Sequence, residues 1–225
     1  MNNPPDNIEM AVSQAIDSCF NAIDAGIMRL VVDLRFPELR QLPVAHLFAQ
    51  ALTTRYGDNW QGIFADAGSA ALAQRDWTDI TIKLRGINEG RRAIGDEKQA
   101  FLLVVPTSVE LDQVEKLLAL ANDRPFILLN PQLENAEVGI GLSARRMRER
   151  FLSTFETAYY LQPLEQGFLW RCYPQLWQVW SEDECIKELT TKPSGEDLNR
   201  IFNRKTGKQT SFLDQLQSLF NALSR

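Results

Sequence analysis

The sequence predicts an α/β fold: a mostly parallel, Rossmann-like sheet of about five strands flanked by helices, followed by a C-terminal antiparallel, aromatic-rich α+β extension. Three observations carry this. Residues 100–106 and 125–130 are nearly continuous apolar runs, and strands apolar on both faces belong inside a sheet covered by helices. Helical and strand patterns alternate from residue 8 to residue 130, as parallel strands joined by right-handed crossovers do. Beyond that point, short segments rich in Trp and Tyr follow one another with only turns between them, as in hairpins.

Residues 8–25 place Ile8, Val12, Ala15, Ile16, Cys19, Phe20 and Ile23 on one helical face, and Gly26 stands where a C-cap belongs. Residues 27–34 are rich in branched side chains and read as a strand. Pro43 opens a helix to Tyr56 whose apolar stripe is Val44, Leu47, Phe48, Ala51 and Leu52. Residues 61–65 form a short strand, and the turn from Asp66 to Ser69 leads into an alanine-rich helix ending near Arg75. Residues 79–84 alternate like a third strand. Residues 86–98 read as a polar loop: either a lid or docking loop, with Lys83, Arg85, Arg91 and Arg92, or a plain connection. Residues 100–132 are the clearest stretch. Thr107 and Glu110 have the spacing of a capping box, and Leu111, Val114, Leu117, Leu118 and Ala121 share the face of the helix that follows.

After Asn130 the pattern changes. Residues 133–141 read as a loop, and Ser143 can cap a helix through about Phe155. Residues 157–164, 167–173 and 176–180 read as strands, Ser194 as the cap of a short helix to Phe202, and residues 211–223 as a last helix. The division expected is an α/β core over 1–140 and an appendage over 141–225, packed on the same core or part of one domain.

The chain has 225 residues, of which 24 are basic and 29 acidic. The charges are mixed, so no basic footprint for nucleic acid is present. No apolar run approaches the roughly 18–20 residues that span a bilayer, and residues 1–6 do not resemble a signal or transit peptide. Cys19, Cys172 and Cys185 are odd in number and widely spaced, which suits reduced thiols. The lone histidine, His46, argues against structural zinc and reads as structural, with no nucleophile in sequence view. No cofactor and no catalytic residue is expected, although an enzyme is not excluded.

Open α/β sheets bind ligands beyond the carboxyl ends of their strands. Those ends present Asp33, Arg35, Asp66, Gly68, Ser69, Thr107, Ser108 and Asn130, with two helix N-termini that favour an anion. The turn from Asp66 to Ser69 is the phosphate candidate, because Gly68 permits close backbone approach. No GxGxxG or GxxxxGK[ST] pattern follows any strand, and Thr107, Ser108 and Asn130 read equally well as caps and turn formers. Arg145, Arg146, Arg148 and Arg150 make either a docking face for an anionic partner or a solvated one. Tyr159, Trp170, Trp177 and Trp180 make either a partner surface or the packing between hairpin and helix.

Particular strings add a resemblance. They are AGIMRLVVDLRFPEL at 25–39, the run at 101–106 with RPFILLNPQL at 124–133, and FLSTFETAYYLQPL and WRCYPQLWQVW within 151–180. Together they span most of residues 8–200. The chain thereby resembles a cyanobacterial and plastid family of domains of unknown function. That family includes a plant low photosystem II accumulation protein and the extension of a plastid adenylate kinase. The resemblance implies a non-enzymatic accessory protein acting by transient docking in photosystem II assembly or accumulation. Its partners would be photosystem II subunits or assembly factors, and its place the cytoplasm or the thylakoid periphery. The family brings no catalytic residues to carry over, and the phosphate-binding loop of a kinase is absent. The alternative is a small-molecule binder or enzyme for a phosphorylated or nucleotide-like ligand, using the strand-end crevice.

Overall fold

The alternation of apolar strands and amphipathic helices produces the expected parallel sheet. In the computed structural model of the chain, which describes residues 3–133 and 150–203, two compact units form. One comprises Ala22–Asp33 with Arg40–Thr157; the other comprises Met1–Asn21, Leu34–Leu39 and Ala158–Arg225.

The first is the parallel unit. Its strands are β1 (Arg29–Leu34), β2 (Trp60–Phe64), β3 (Arg85–Gly86), β4 (Ala100–Val104) and β5 (Phe126–Leu129). They lie in the order β3-β2-β4-β5-β1, and every pair is parallel. β2, β4 and β5 are buried throughout, as their unbroken apolar runs require. Following α1 (Ile8–Asp24), the helices are α2 (Gln41–Tyr56), α3 (Ala67–Asp76) and α4 (Leu111–Ala121). α2 and α3 cover one face of the sheet, where Trp60 Nε1 donates to Thr53 Oγ1 at 2.9 Å. α4 covers the other, packing Leu111, Val114, Leu117 and Leu118 on Phe101, Leu103, Phe126 and Leu128.

Three expectations need correction here. α2 buries Val44, Ala45, Phe48, Ala49 and Leu52, while Leu47 is 41% exposed and Ala51 is half-buried. The stripe is turned by about one residue, toward the small Ala45 and Ala49. Residues 79–84 are not a strand. Ile80, Ile82 and Leu84 are buried as their alternation demands, but only Arg85 and Gly86 pair, with Ile63 and Phe64. The segment is fastened by side chains instead: Gln61 Nε2 donates to Lys83 O at 2.7 Å, and Leu84 N to Gln74 Oε1 at 2.8 Å. Gly62 makes room for it, since a Cβ there would lie 2.7 Å from Leu84 Cδ2. Residues 86–98 are not a plain polar loop either. Ile87–Ala93 forms 3-10 turns, and Ile87, Ala93 and Ile94 enter the core beside α4.

The antiparallel unit holds β6 (Glu156–Leu164), β7 (Gly167–Cys172), β8 (Trp177–Ser181), β9 (Glu184–Leu189) and α5 (Gly195–Asn203). Its strands follow in sequence order, each antiparallel to the next. Leu164 pairs with Gly167 across a tight turn, and a Cβ at Gly167 would fall 1.8 Å from Trp180 O. The core is Tyr160, Leu169, Trp177, Val179 and Phe202, with Leu198 and Ile201 of α5 against it. α5 starts as expected: Asp197 N donates to Ser194 Oγ at 3.2 Å, and Ser194 N to Asp197 Oδ2 at 3.1 Å. The early part of α1 joins this unit, where Tyr159 OH donates to Gln14 Oε1 at 3.1 Å and Ser18 Oγ lies 3.2 Å from Cys172 Sγ. β9 was missing from the sequence reading. The helix expected over 143–155 falls mostly on residues 134–149, and the last helix on residues beyond 203; both lie outside the described residues.

Candidate functional site

The register aligns the carboxyl ends of the parallel strands. Phe64 sits beside Gly86 and Val104, Val104 beside Leu129, and Leu129 beside Val32. From β2 the chain moves outward to β3, then returns past β2 to β4 and β5. The direction reverses between β2 and β4, which makes this the switch point where such sheets bind ligands. The two turns flanking it are those chosen from sequence: Asp66 to Ser69 after β2, and Thr107 to Glu110 after β4.

Both turns are filled by the chain's own carboxylates. Ser69 N and Ser69 Oγ donate to Asp66 at 2.8 and 2.6 Å. The Ser69 hydroxyl foremost, then the Ser69 and Gly68 amides, hold the Asp66 carboxyl below its usual range. A Cβ on Gly68 would lie 3.0 Å from Asp66 Oδ1, so the space that glycine leaves serves this carboxylate. After β4, Thr107 N and Thr107 Oγ1 donate to Glu110 Oε2 at 2.9 and 2.6 Å, and Val109 N donates to Thr107 Oγ1 at 3.3 Å. Ser108 opens that 3-10 turn. Beside β2, Glu89 repeats the arrangement, accepting from Gly86 N at 3.2 Å and Arg85 Nη1 at 2.7 Å. Burial pushes the Glu89 carboxyl up, but Arg85 and the Gly86 amide bring it below the ordinary value. Helix-start amides that would attract a phosphate are therefore satisfied internally.

α2 differs. Its N-cap residue, Arg40, makes no side-chain capping hydrogen bond, and Gln41 Oε1 accepts from Asn130 Nδ2. Asn130 is buried and has φ 48°, which asparagine tolerates better than most residues. Its neighbour in register is Val105, with φ 50°, and a β-branched residue at positive φ is a strained one. The sequence reading missed Val105. Its signal was faint: the aligned runs of β4 and β5 both end in a residue before proline, Pro106 and Pro131.

The remaining candidates scatter. Asp33 is buried at the end of β1. Arg35 belongs to the antiparallel unit, with its Cζ 5.7 Å from the centre of the Tyr160 ring and Lys192 Nζ 4.5 Å from the same centre. Tyr159, Trp170 and Trp177 are buried on β6, β7 and β8, which fits the packing reading of these residues and not the partner-surface one. Trp180 is half-buried and stacks on Phe168 at 5.9 Å and 6°. Arg145, Arg146 and Arg148 lie outside the described residues, and Arg150 is exposed.

Cys19 and Cys172 are buried and in no disulfide, and burial pushes the Cys19 thiol far above its usual range. Among the described residues, no group of three or more His, Cys, Asp or Glu is placed to hold a metal ion. No helix among them is long and apolar enough to cross a membrane.

Residues 5–200 match a family described as a domain of unknown function, DUF1995. The match covers most of the chain and includes the switch point, the capped turns and the aromatic strands. The chain belongs to the DUF1995 family.

Proposed function

We propose that this protein is a non-enzymatic accessory factor that docks transiently on photosystem II subunits or assembly factors at the thylakoid surface. The observation that favours docking over a phosphorylated ligand is the occupation of the switch point. Asp66, Glu89 and Glu110 place carboxylates on the segment starts where a phosphate would sit, and like charges there oppose it. The family resemblance supplies the photosystem II context. The contacts proposed are the arginines Arg145, Arg146, Arg148 and the exposed Arg150 and, separately, the half-exposed Trp180. The buried Tyr159, Trp170 and Trp177 support the sheet that carries Trp180.

The test is a deletion strain of a cyanobacterial host followed during recovery from photodamage. Delayed accumulation of photosystem II, restored by the wild-type chain and not by an Arg150→Glu chain, is expected. Normal accumulation in the deletion strain contradicts the reading.

A second reading, a small-molecule site at the carboxyl edge, is favoured by one observation: the positive φ of Val105 at the switch point. Strained backbone of this kind gathers at ligand sites.

A further inference from the structure

We infer that His46 and Asp79 form a pH-sensitive clasp that fastens the connection between α3 and β3 to α2. This goes beyond the docking reading and does not depend on it.

The connection, residues 77–84, has no ladder hydrogen bonds before Arg85. Its polar tie to α2 runs through the Asp79 carboxylate. His46 Nε2 lies 2.6 Å from Asp79 Oδ1, and Gln50, one turn further along the helix, donates Nε2 to Asp79 Oδ2 at 2.7 Å. The His46 ring also lies flat on the buried Trp77 indole, with centroids 5.0 Å apart and planes 7° apart. A neutral imidazole already makes a hydrogen bond to Asp79. Protonation strengthens both contacts at once: it turns the hydrogen bond into an ion pair and places a cation over the indole face. Histidine is the side chain whose charge ordinarily changes between about pH 5 and 8.

Among the described residues, the groups that face the pair are these. From its own helix the neighbour is the neutral Gln50, from the end of α3 it is the neutral Trp77, and from the connection it is Asp79. Arg75 and Asp76, in the last turn of α3, pair with each other at 2.7 Å. His46 lies past the first turn of α2, beyond most of the helix-dipole effect. At the acid end the sign reverses. Gln50 first, then His46, holds the Asp79 carboxyl below its usual range, so the clasp persists until pH falls through that lowered value. The clasp is therefore tightest while the carboxylate is still ionised and the imidazole carries its proton.

The test is amide hydrogen exchange in the full chain, read at Ile80, whose N–H donates to the Trp77 carbonyl at 3.2 Å. After correction for intrinsic exchange, protection at about pH 5.5 is expected to exceed that at about pH 8 by roughly two- to five-fold, the range exposed pairs support. His46→Gln keeps a donor but does not titrate and should show a ratio near one; Asp79→Asn should be uniformly less protected. The Leu103 amide in β4, unchanged across the variants, shows that the fold is intact. A wild-type ratio near one, or the same ratio in His46→Gln, overturns the inference.

Discussion

Val105 and Asn130 stand side by side just past β4 and β5, both with φ near 50° and both followed by proline. Val105 N still donates to Leu129 O at 2.8 Å and Asn130 N to Val32 O at 2.7 Å. Pairing resumes beyond the kink at Thr107 and Gln132. The two positive-φ residues therefore stand together at the carboxyl ends of β4 and β5, beside the switch point. Asn130→Ala removes both the tolerance of positive φ and the bond to Gln41, and should cost about 2 kcal/mol. Asn130→Gly loses the bond alone and should cost about 1 kcal/mol. Urea denaturation of both variants checks the order; an alanine variant no worse than glycine would show that φ is unimportant there.

Asp66 is expected to act as a cap whose value depends on pH. Asp66→Ala should lower stability by about 1 kcal/mol near neutral pH. Because the folded-state carboxyl titrates below its ordinary value, its contribution is present above about pH 4 and is lost as pH falls through the lowered value. Thermal melts from about pH 7 to about pH 2.5 should show the wild type and Asp66→Ala converging at the acid end. A constant difference across that range would assign the effect to something other than the ionised cap.

Arg124 should be among the least replaceable charged residues of the parallel unit. Its guanidinium donates to the carbonyls of Ala121, Leu120, Gly95 and Lys98 at 2.7–2.9 Å, and its Cζ lies 4.8 Å from the centre of the Phe101 ring. It thus closes α4 and ties down the approach to β4. Lysine cannot reproduce the planar fork, so Arg124→Lys should cost about 2 kcal/mol, read from the denaturation midpoint at unchanged slope. A cost below about 0.5 kcal/mol would mean that water replaces those bonds freely.

Two glycines should behave oppositely. At Gly167 an added Cβ meets Trp180 O at 1.8 Å, while at Gly195 nothing lies within 4 Å. Gly167→Ala should cost upward of about 4 kcal/mol or prevent folding, and Gly195→Ala should stay within about 0.5 kcal/mol of wild type. Comparable melts for the two variants would contradict the β7–β8 packing described.

What the sequence made legible were features set locally. The Thr107 and Glu110 capping box, the α4 face and the buried runs of β4 and β5 follow from neighbours a few residues apart. The carboxyl-edge turns at Asp66 and Thr107 were legible for the same reason. Other features depend on distant residues. Residues 79–84 bury alternate side chains without pairing because Gln61, Gln74 and Gly62 hold and admit them, and none of the three is a neighbour in sequence. β9 is a half-exposed strand whose ECIKEL shows no clean alternation. The inward orientation of Trp177 was set by α5, which covers its face of the sheet, and that of Trp170 by the opposite face, which it shares with Tyr159 and Cys172 beside α1. Val105 was hidden because its residue type argues against the backbone it adopts.

The most direct measurement is affinity purification of the tagged full-length chain from a cyanobacterial host, with mass spectrometry of the solubilised membranes, beside an Arg150→Glu chain. Enrichment of photosystem II subunits or assembly factors by the wild type, reduced by Arg150→Glu, is expected. Recovery of the wild-type chain free of photosystem II components would contradict the docking function.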